Sequence, residues 1–337
     1  MPRPGNWTAP RPCLRPRRPR HQRIPLPPPR RRRSKACVLC SYRPWSDGNL
    51  KEALESGVSF EAVTRASTLY CMKDEGYFGP HSMAWRVHSN PVTLVGGVRA
   101  LLIQALHPLA MAGILEHSVV TGDISGRYMR TRDFVLAAIF GDRATADEAG
   151  ARVRAAHRPV AGVDKVTGMS YRATDPELLL WVHCALVDSF LAAQQRFGRQ
   201  LDGPEADLYI AEMMRMGRLV GLRDEDMPVG REDLRNTMAS YDPMLRRSDG
   251  ADATWKLLEH PPMPLAGRPV WALVFAASVS IMPPKLLRLY RRSAPRIPAS
   301  ALSAGVTAGA RFARMIGRPS PVFAAARELA RVEGVRL

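Results

Sequence analysis

"VTLVGGVRALLIQALHPLAMAGILEHSV", residues 92–119, is apolar on nearly every side and carries no acidic residue before Glu116. A helix that is hydrophobic all round has no face to give to water, so it belongs at the centre of a helical fold. Pro108 lacks an amide hydrogen and its ring meets the carbonyl four residues back, so it should kink this helix or divide it in two. The helical pattern continues to the C-terminus, with Gly or Pro at the breaks and few β-branched alternations. Further helices are expected at 127–140, 144–158, 176–197, 204–220, 231–240, 250–259, 268–281, 298–316 and 320–334. Asp175 and Pro176 fit the N-cap and first residue of the helix at 176–197. Upstream, 48–72 reads as a short helical lead-in and 74–91 as a helical turn or two. "GVDKVTGMSYRATDP", 162–176, reads as a loop. With no repeat and no βαβ alternation, the fold class is all-α, a single helical domain.

The charge of this chain is concentrated at one end. Of the formal +18, twelve positive charges lie in residues 1–35, which hold no Asp or Glu; +6 is left for residues 36–337. The first forty residues are rich in Pro and Arg and offer almost nothing to bury, so a disordered basic tail is expected. Such a tail can meet anionic lipid or RNA without sequence preference; no specific nucleic-acid partner is expected. It lacks the apolar segment of a secretion signal, so a cytoplasmic location, open to membrane association, is the expectation. Cys37 and Cys40 form a CxxC without a second pair at zinc-ribbon spacing. The longest apolar run, "VWALVFAASVSIM" at 270–282, stops at Pro283, so it suits a buried or interfacial helix and a peripheral membrane contact.

Several chemistries have no cradle here. The sequence contains no G-x-G-x-x-G after a strand, no P-loop, no G-x-S-x-G, no HExxH and no E-x-x-H. What remains is a cofactor held between helices, and the histidines are its candidate ligands. His107, His157 and His183 each share a helical face with apolar residues: Ile103 and Met111, Val153 and Val160, Leu179 and Leu186. Ala146, Ala149 and Gly150 continue the stripe of His157, and small residues there leave room for a flat ligand. Spacing alone does not choose among the three. A second constellation is "GRYMRTRDF", 126–134, where Arg127, Arg130 and Thr131 fall on one helical face suited to an anion.

Five segments, "GYFGPHSMAWRVHSNPVTLVGGVRALLIQALHPLAMAG", "HSVVTGDISGRYMRT", "RVRAAHRPVAG", "YRATDPELLLWVHCALVDS" and "RMGRLVGL", together resemble the bacterial branch of the MpaB-type oxygenase family, which includes the rubber oxygenases (latex-clearing proteins). The resemblance runs in order from about Gly76 to about Pro284. It implies a globin-like helical core around haem b, with a histidine as the proximal iron ligand. In rubber oxygenases an Arg-x-x-Lys-Thr motif precedes that histidine by about thirty residues. Arg127, Arg130 and Thr131 resemble the motif, and His157, 26 residues after Thr131, is then the implied ligand. His183 becomes a packing residue.

Arg130 stands where the family has lysine. A guanidinium offers no lone pair to a metal, so no bond from Arg130 to iron is expected. The family's catalytic carboxylate has no matching position; Glu116 is the nearest helical glutamate upstream of Arg127, at a different spacing. The resemblance therefore implies a haem b-dependent oxygenase acting with dioxygen on an apolar small molecule or lipid, rather than rubber cleavage itself. Arg127 and Thr131 are the implied catalytic donors, and Arg127, Arg130 and Thr131 the implied cofactor contacts. The expected substrate path is an apolar channel between the helices at 92–119 and 176–197. Two alternatives remain open: a non-haem iron oxidoreductase using His107, His117 and Glu116, and a non-catalytic lipid-binding protein. The expected domains are a tail at 1–45, an oxygenase-like helical domain at 46–290 and a C-terminal helical extension at 291–337.

Overall fold

Pro108 divides the long apolar stretch as its chemistry requires. In the computed structural model, which describes residues 76–116, 124–316 and 321–332, helix α1 (Met83–His88) leads into α2 (Thr93–Gln104), and α3 (Pro108–Ile114) leaves α2 at 105°. His107 occupies the N-cap of α3 and Pro108 its first turn, where a missing amide costs nothing. The basic tail, the lead-in at 48–72 and His117 lie outside the described residues.

The elements that follow are α4 (Ile124–Phe140), α5 (Arg143–His157), the strands β1 (Ala161–Val163) and β2 (Ser170–Arg172), α6 (Pro176–Phe197) and α7 (Gly203–Val220). Beyond them come α8 (Arg231–Ser240), α9 (Asp249–Glu259), α10 (Arg268–Ser280), α11 (Pro284–Leu289), α12 (Ala299–Ile316) and α13 (Pro321–Val332). The described residues are thus all-α apart from one two-stranded hairpin. Local chemistry sets most of the boundaries. Asp142 and Asp175 accept the Thr145 and Glu177 amides as N-caps. Asp202 and Glu205 form a reciprocal capping box at the start of α7, and Gly221, at φ 104, ends that helix in the left-handed conformation.

α6 is the central element. It is long and apolar enough to cross a membrane by length and composition, yet 67% of its most apolar window is buried inside the protein, so its apolarity serves the core. α2 lies along it in direct backbone contact: a Cβ on Gly96 would stand 2.7 Å from the Phe190 ring and 3.1 Å from the Ser189 carbonyl. Arg99 locks the same seam. Its buried guanidinium donates to Asp188 and Ser189, at 2.7 Å each, and to the Ile281 carbonyl. The apolar channel expected between these helices is therefore not formed along this seam, because glycine lets the two backbones touch.

The C-terminal segment packs back on the body. α12 lies against α10, where Gly305 has no room for a side chain: a Cβ would meet the Leu273 Cβ at 2.4 Å. α13 lies against α4 and places Ala326 and Ala330 in the main core with Trp85, Phe140 and Tyr209. The helix expected to meet a membrane, α10, buries Val274, Phe275, Ala277 and Val279 and contacts α2 and α12.

Candidate functional site

Only Gly141 and Asp142 separate α4 from α5, and the two helices pack on each other as a helical hairpin. Counting back from that turn at equal rise per residue, Arg127, Arg130 and Thr131 fall level with the last turns of α5, which ends at His157. The structure thus brings the arginine–threonine motif and the histidine to one end of one hairpin. Arg130 and Thr131 are exposed, and His157 is half-buried. Arg127 lies on α4, with its side chain outside the described part.

The small residues before His157 have a use that spacing did not show. Ala146, Ala149 and Gly150 are buried against α7, and a Cβ on Gly150 would lie 2.7 Å from the Leu219 carbonyl oxygen. Arg154 donates to that same oxygen. The stripe serves close helix packing rather than room for a flat ligand.

There the chain enters the β-hairpin. Val160 donates its amide to the His157 carbonyl at 3.1 Å, and β1 pairs with β2 antiparallel, Ala161 opposite Arg172. Buried Asp164 closes the turn by accepting from the Thr167 amide at 2.8 Å and its hydroxyl at 2.6 Å, while Gly168 takes a φ of +70. Val163, Val166 and Met169 are exposed on this hairpin, and Met129 is exposed on α4. Tyr171 points the other way, into the corner between the hairpin and the end of α3.

That corner holds a carboxylate that sequence reasoning left without a place. The Tyr171 hydroxyl donates to Glu116 Oε2 at 2.7 Å. Gly162 makes the pair possible, since a Cβ there would lie 2.8 Å from both the carboxylate and the phenol oxygen. Gly113 lies beneath, where a Cβ would make ordinary contact with Tyr171 and Val160 at 3.4 Å. Burial and the Glu116 carboxylate push the Tyr171 phenol up, so it remains a donor across the physiological range. Glu116 and Tyr171 are 55 residues apart; only the glycines in "AG" and "VAG" hint that something large must fit.

The other histidines have a different fate. His88 is buried, contacts the Tyr209 hydroxyl through Nε2 at 3.2 Å and lies edge-on to Phe190; burial lowers its pKa to about 3. His107 lies beside Trp181 and Tyr241 with Nδ1 buried and without a hydrogen-bond partner. Burial, then the nearby Arg246, lowers it to about 4. His183 is buried, and burial likewise lowers it to about 4; it faces Gly217, where a Cβ would come within 3.4 Å of its ring. Among the described residues, no three His, Cys, Asp or Glu side chains gather as a metal-ligand cluster.

Residues 85–331 match the family model described as ER-bound oxygenase mpaB/B'/Rubber oxygenase, catalytic domain. The match continues past Pro284, where the sequence resemblance ended, and takes in α12 and most of α13. Neither the curated proteins nor the solved structures contain a match. With most of its length and both halves of the helical hairpin inside the match, the chain belongs to the MpaB/rubber oxygenase catalytic-domain family and is an oxygenase, an oxidoreductase.

Proposed function

We propose that the protein is a haem b-dependent oxygenase acting on an apolar small molecule or lipid, with His157 as the proximal iron ligand. The observation that carries this reading is the difference in access. Of the three histidines singled out by spacing, His107 and His183 are buried in the core, and His157 alone stands half-open at a helix end. The donor set fits the group. A porphyrin supplies four nitrogens itself, so one accessible imidazole is enough, whereas a non-haem iron centre needs about three protein ligands in one place. Exposed Val163, Val166 and Met169 next to His157 in the chain offer an apolar surface, and Arg130 a cation for a propionate.

Haem b, when bound, supplies the dioxygen chemistry. The chain's own residues then have distinct tasks. The His157 imidazole would hold the iron, Arg127 and Arg130 would hold carboxylates of the macrocycle, and Thr131 would donate a hydrogen bond where negative charge develops. The Arg130 guanidinium has no lone pair to offer a metal, so its part would be to hold an anion. Tyr171, kept protonated, holds Glu116 in place, and the Glu116 carboxylate is available to take up a proton from substrate. Cytoplasmic placement with a peripheral membrane contact, at the exposed Leu265 before α10, completes the proposal; flotation with liposomes tests that contact.

The absorption spectrum and iron content of the purified full-length protein test the central reading. A Soret band with stoichiometric iron is expected. Iron without a Soret band would favour the non-haem alternative, and a colourless, metal-free protein the lipid-binding one. Deleting residues 1–45 should leave the spectrum unchanged.

A further inference from the structure

A cleft of about 730 Å³ opens between α9, α10 and the chain that leaves α11, and none of the residues lining it comes from α4, α5 or the β-hairpin. That volume lies within the range of small-molecule sites. Its walls are aromatic. Trp255 is buried, edge-on to Phe275 with ring centroids 5.4 Å apart, and stacked at a tilt on Tyr290 at 4.8 Å. Trp271 is fixed by its indole N–H, which donates to the Leu258 carbonyl at 2.7 Å.

Cations gather at the same cleft. Arg268, Arg291 and Arg292 all line it, and the Arg292 guanidinium sits 5.5 Å over the Trp255 ring. Among the described residues none of the three has a carboxylate partner within salt-bridge distance, unlike Arg247 or Arg218, which pair with Asp252 and Asp224. Arg268 is also the first residue of α10, a helix whose start has no side-chain cap, so the positive end of its dipole adds to the charge. Glu259 and His260 are the opposing groups on the lining, 4.0 Å apart. Three guanidinium groups against one carboxylate leave the cleft with a surplus of positive charge that favours an anion.

The backbone at Arg291 supports this reading independently. The Arg292 amide donates to the Leu287 carbonyl and the Arg291 amide to the Arg288 carbonyl, both at 3.0 Å, which closes α11 with a Schellman motif. Its left-handed position, usually glycine, is held by Arg291 at φ 56, the only non-glycine residue with positive φ among those described. An arginine stands where the fold alone would prefer glycine, and it lines the cleft.

We propose that this cleft binds an amphipathic carboxylate, its apolar body against Trp255, Trp271 and Phe275 and its carboxylate on Arg268, Arg291 and Arg292. The forked guanidinium groups match a carboxylate's two oxygens, and the aromatic faces accept a chain or ring without a directional demand. The site does not depend on where the haem binds.

Titration calorimetry of the full chain with decanoate, decan-1-ol and acetate tests it. One decanoate should bind per chain, decan-1-ol roughly tenfold more weakly, and acetate not measurably. Arg291→Gly separates binding from folding: it should raise the melting temperature by relieving the left-handed arginine, yet weaken decanoate roughly fivefold. Arg268→Glu should weaken decanoate by roughly tenfold, with the Soret band intact, and His157→Ala should bind decanoate as the unaltered chain does. The proposal is overturned if decanoate does not bind, if decan-1-ol or acetate binds as tightly, or if both arginine variants bind unchanged. It is equally overturned if Arg268→Glu abolishes the Soret band, since the cleft would then be the haem's own site.

Discussion

The middle of α6 and the open end of the α4–α5 hairpin use the same residue type in opposite ways. His183, within α6, is buried against Gly217, and His88 and His107, on α1 and at the start of α3, are buried against aromatic rings; burial lowers the pKa of all three. His157 ends its helix beside a short hairpin whose apolar residues face outward. All three sequence candidates sat on apolar helical faces, so a shared pattern concealed two environments. The difference teaches that burial alone does not make a histidine functional. Position along a helix does not decide it either: His88 and His107 lie at helix ends and are buried, whereas His157, at the end of α5, is half-open.

That contrast can be broken from either side. Trp181, fully buried against His107 and Tyr241, holds the closed region together. Trp181→Ala should cost about 3–5 kcal/mol, read as a large fall in melting temperature. If the melting temperature barely moved, the closed region would not be a packed core.

Acid should strike the closed region next. His88, His107 and His183 are held neutral when folded, at about 3, about 4 and about 4, against an ordinary value of 6.5. The unfolded chain therefore takes up protons first. Stability is fully present above pH 6.5 and is lost as the pH falls toward 4, at up to about 1.4 kcal/mol per pH unit for each histidine. Thermal melts between pH 7 and 4.5 should show the decline, and His88→Phe should flatten it; a slope unchanged in that variant would mean that other groups set it.

A smaller effect sharpens the open side. Tyr171→Phe removes the donor to Glu116 and should cost about 1 kcal/mol while leaving the cofactor spectrum in place. Loss of the spectrum would mean that the tyrosine–glutamate corner helps to hold the cofactor.

Much of the helical frame was legible because single residues punctuate it. Pro108, Asp142, Asp175, Asp202 and Gly221 act through their own backbone or side-chain chemistry, and helix bounds follow them closely. What escaped was either short or distant in sequence. α11 spans only Pro284–Leu289, and the strands of the β-hairpin have three residues each, too few for a period to declare itself. The small stripe on α5 was visible, but a Gly150 that admits a helix backbone and one that admits a ligand look identical in sequence. The same ambiguity made an apolar seam at Gly96 read as a channel. At the site, the arginine–threonine motif and His157 came together because a two-residue turn joins their helices, whereas Tyr171 and Glu116 meet only through tertiary packing.

The most direct measurement is the absorption spectrum of His157→Ala set beside that of His183→Ala, with circular dichroism on both to establish that the chain remains folded. Loss of the Soret band in His157→Ala, with the band kept in His183→Ala, is the expected result. A Soret band that survives in His157→Ala and disappears in a folded His183→Ala would contradict the assignment and move the iron from the open end of the hairpin into the core.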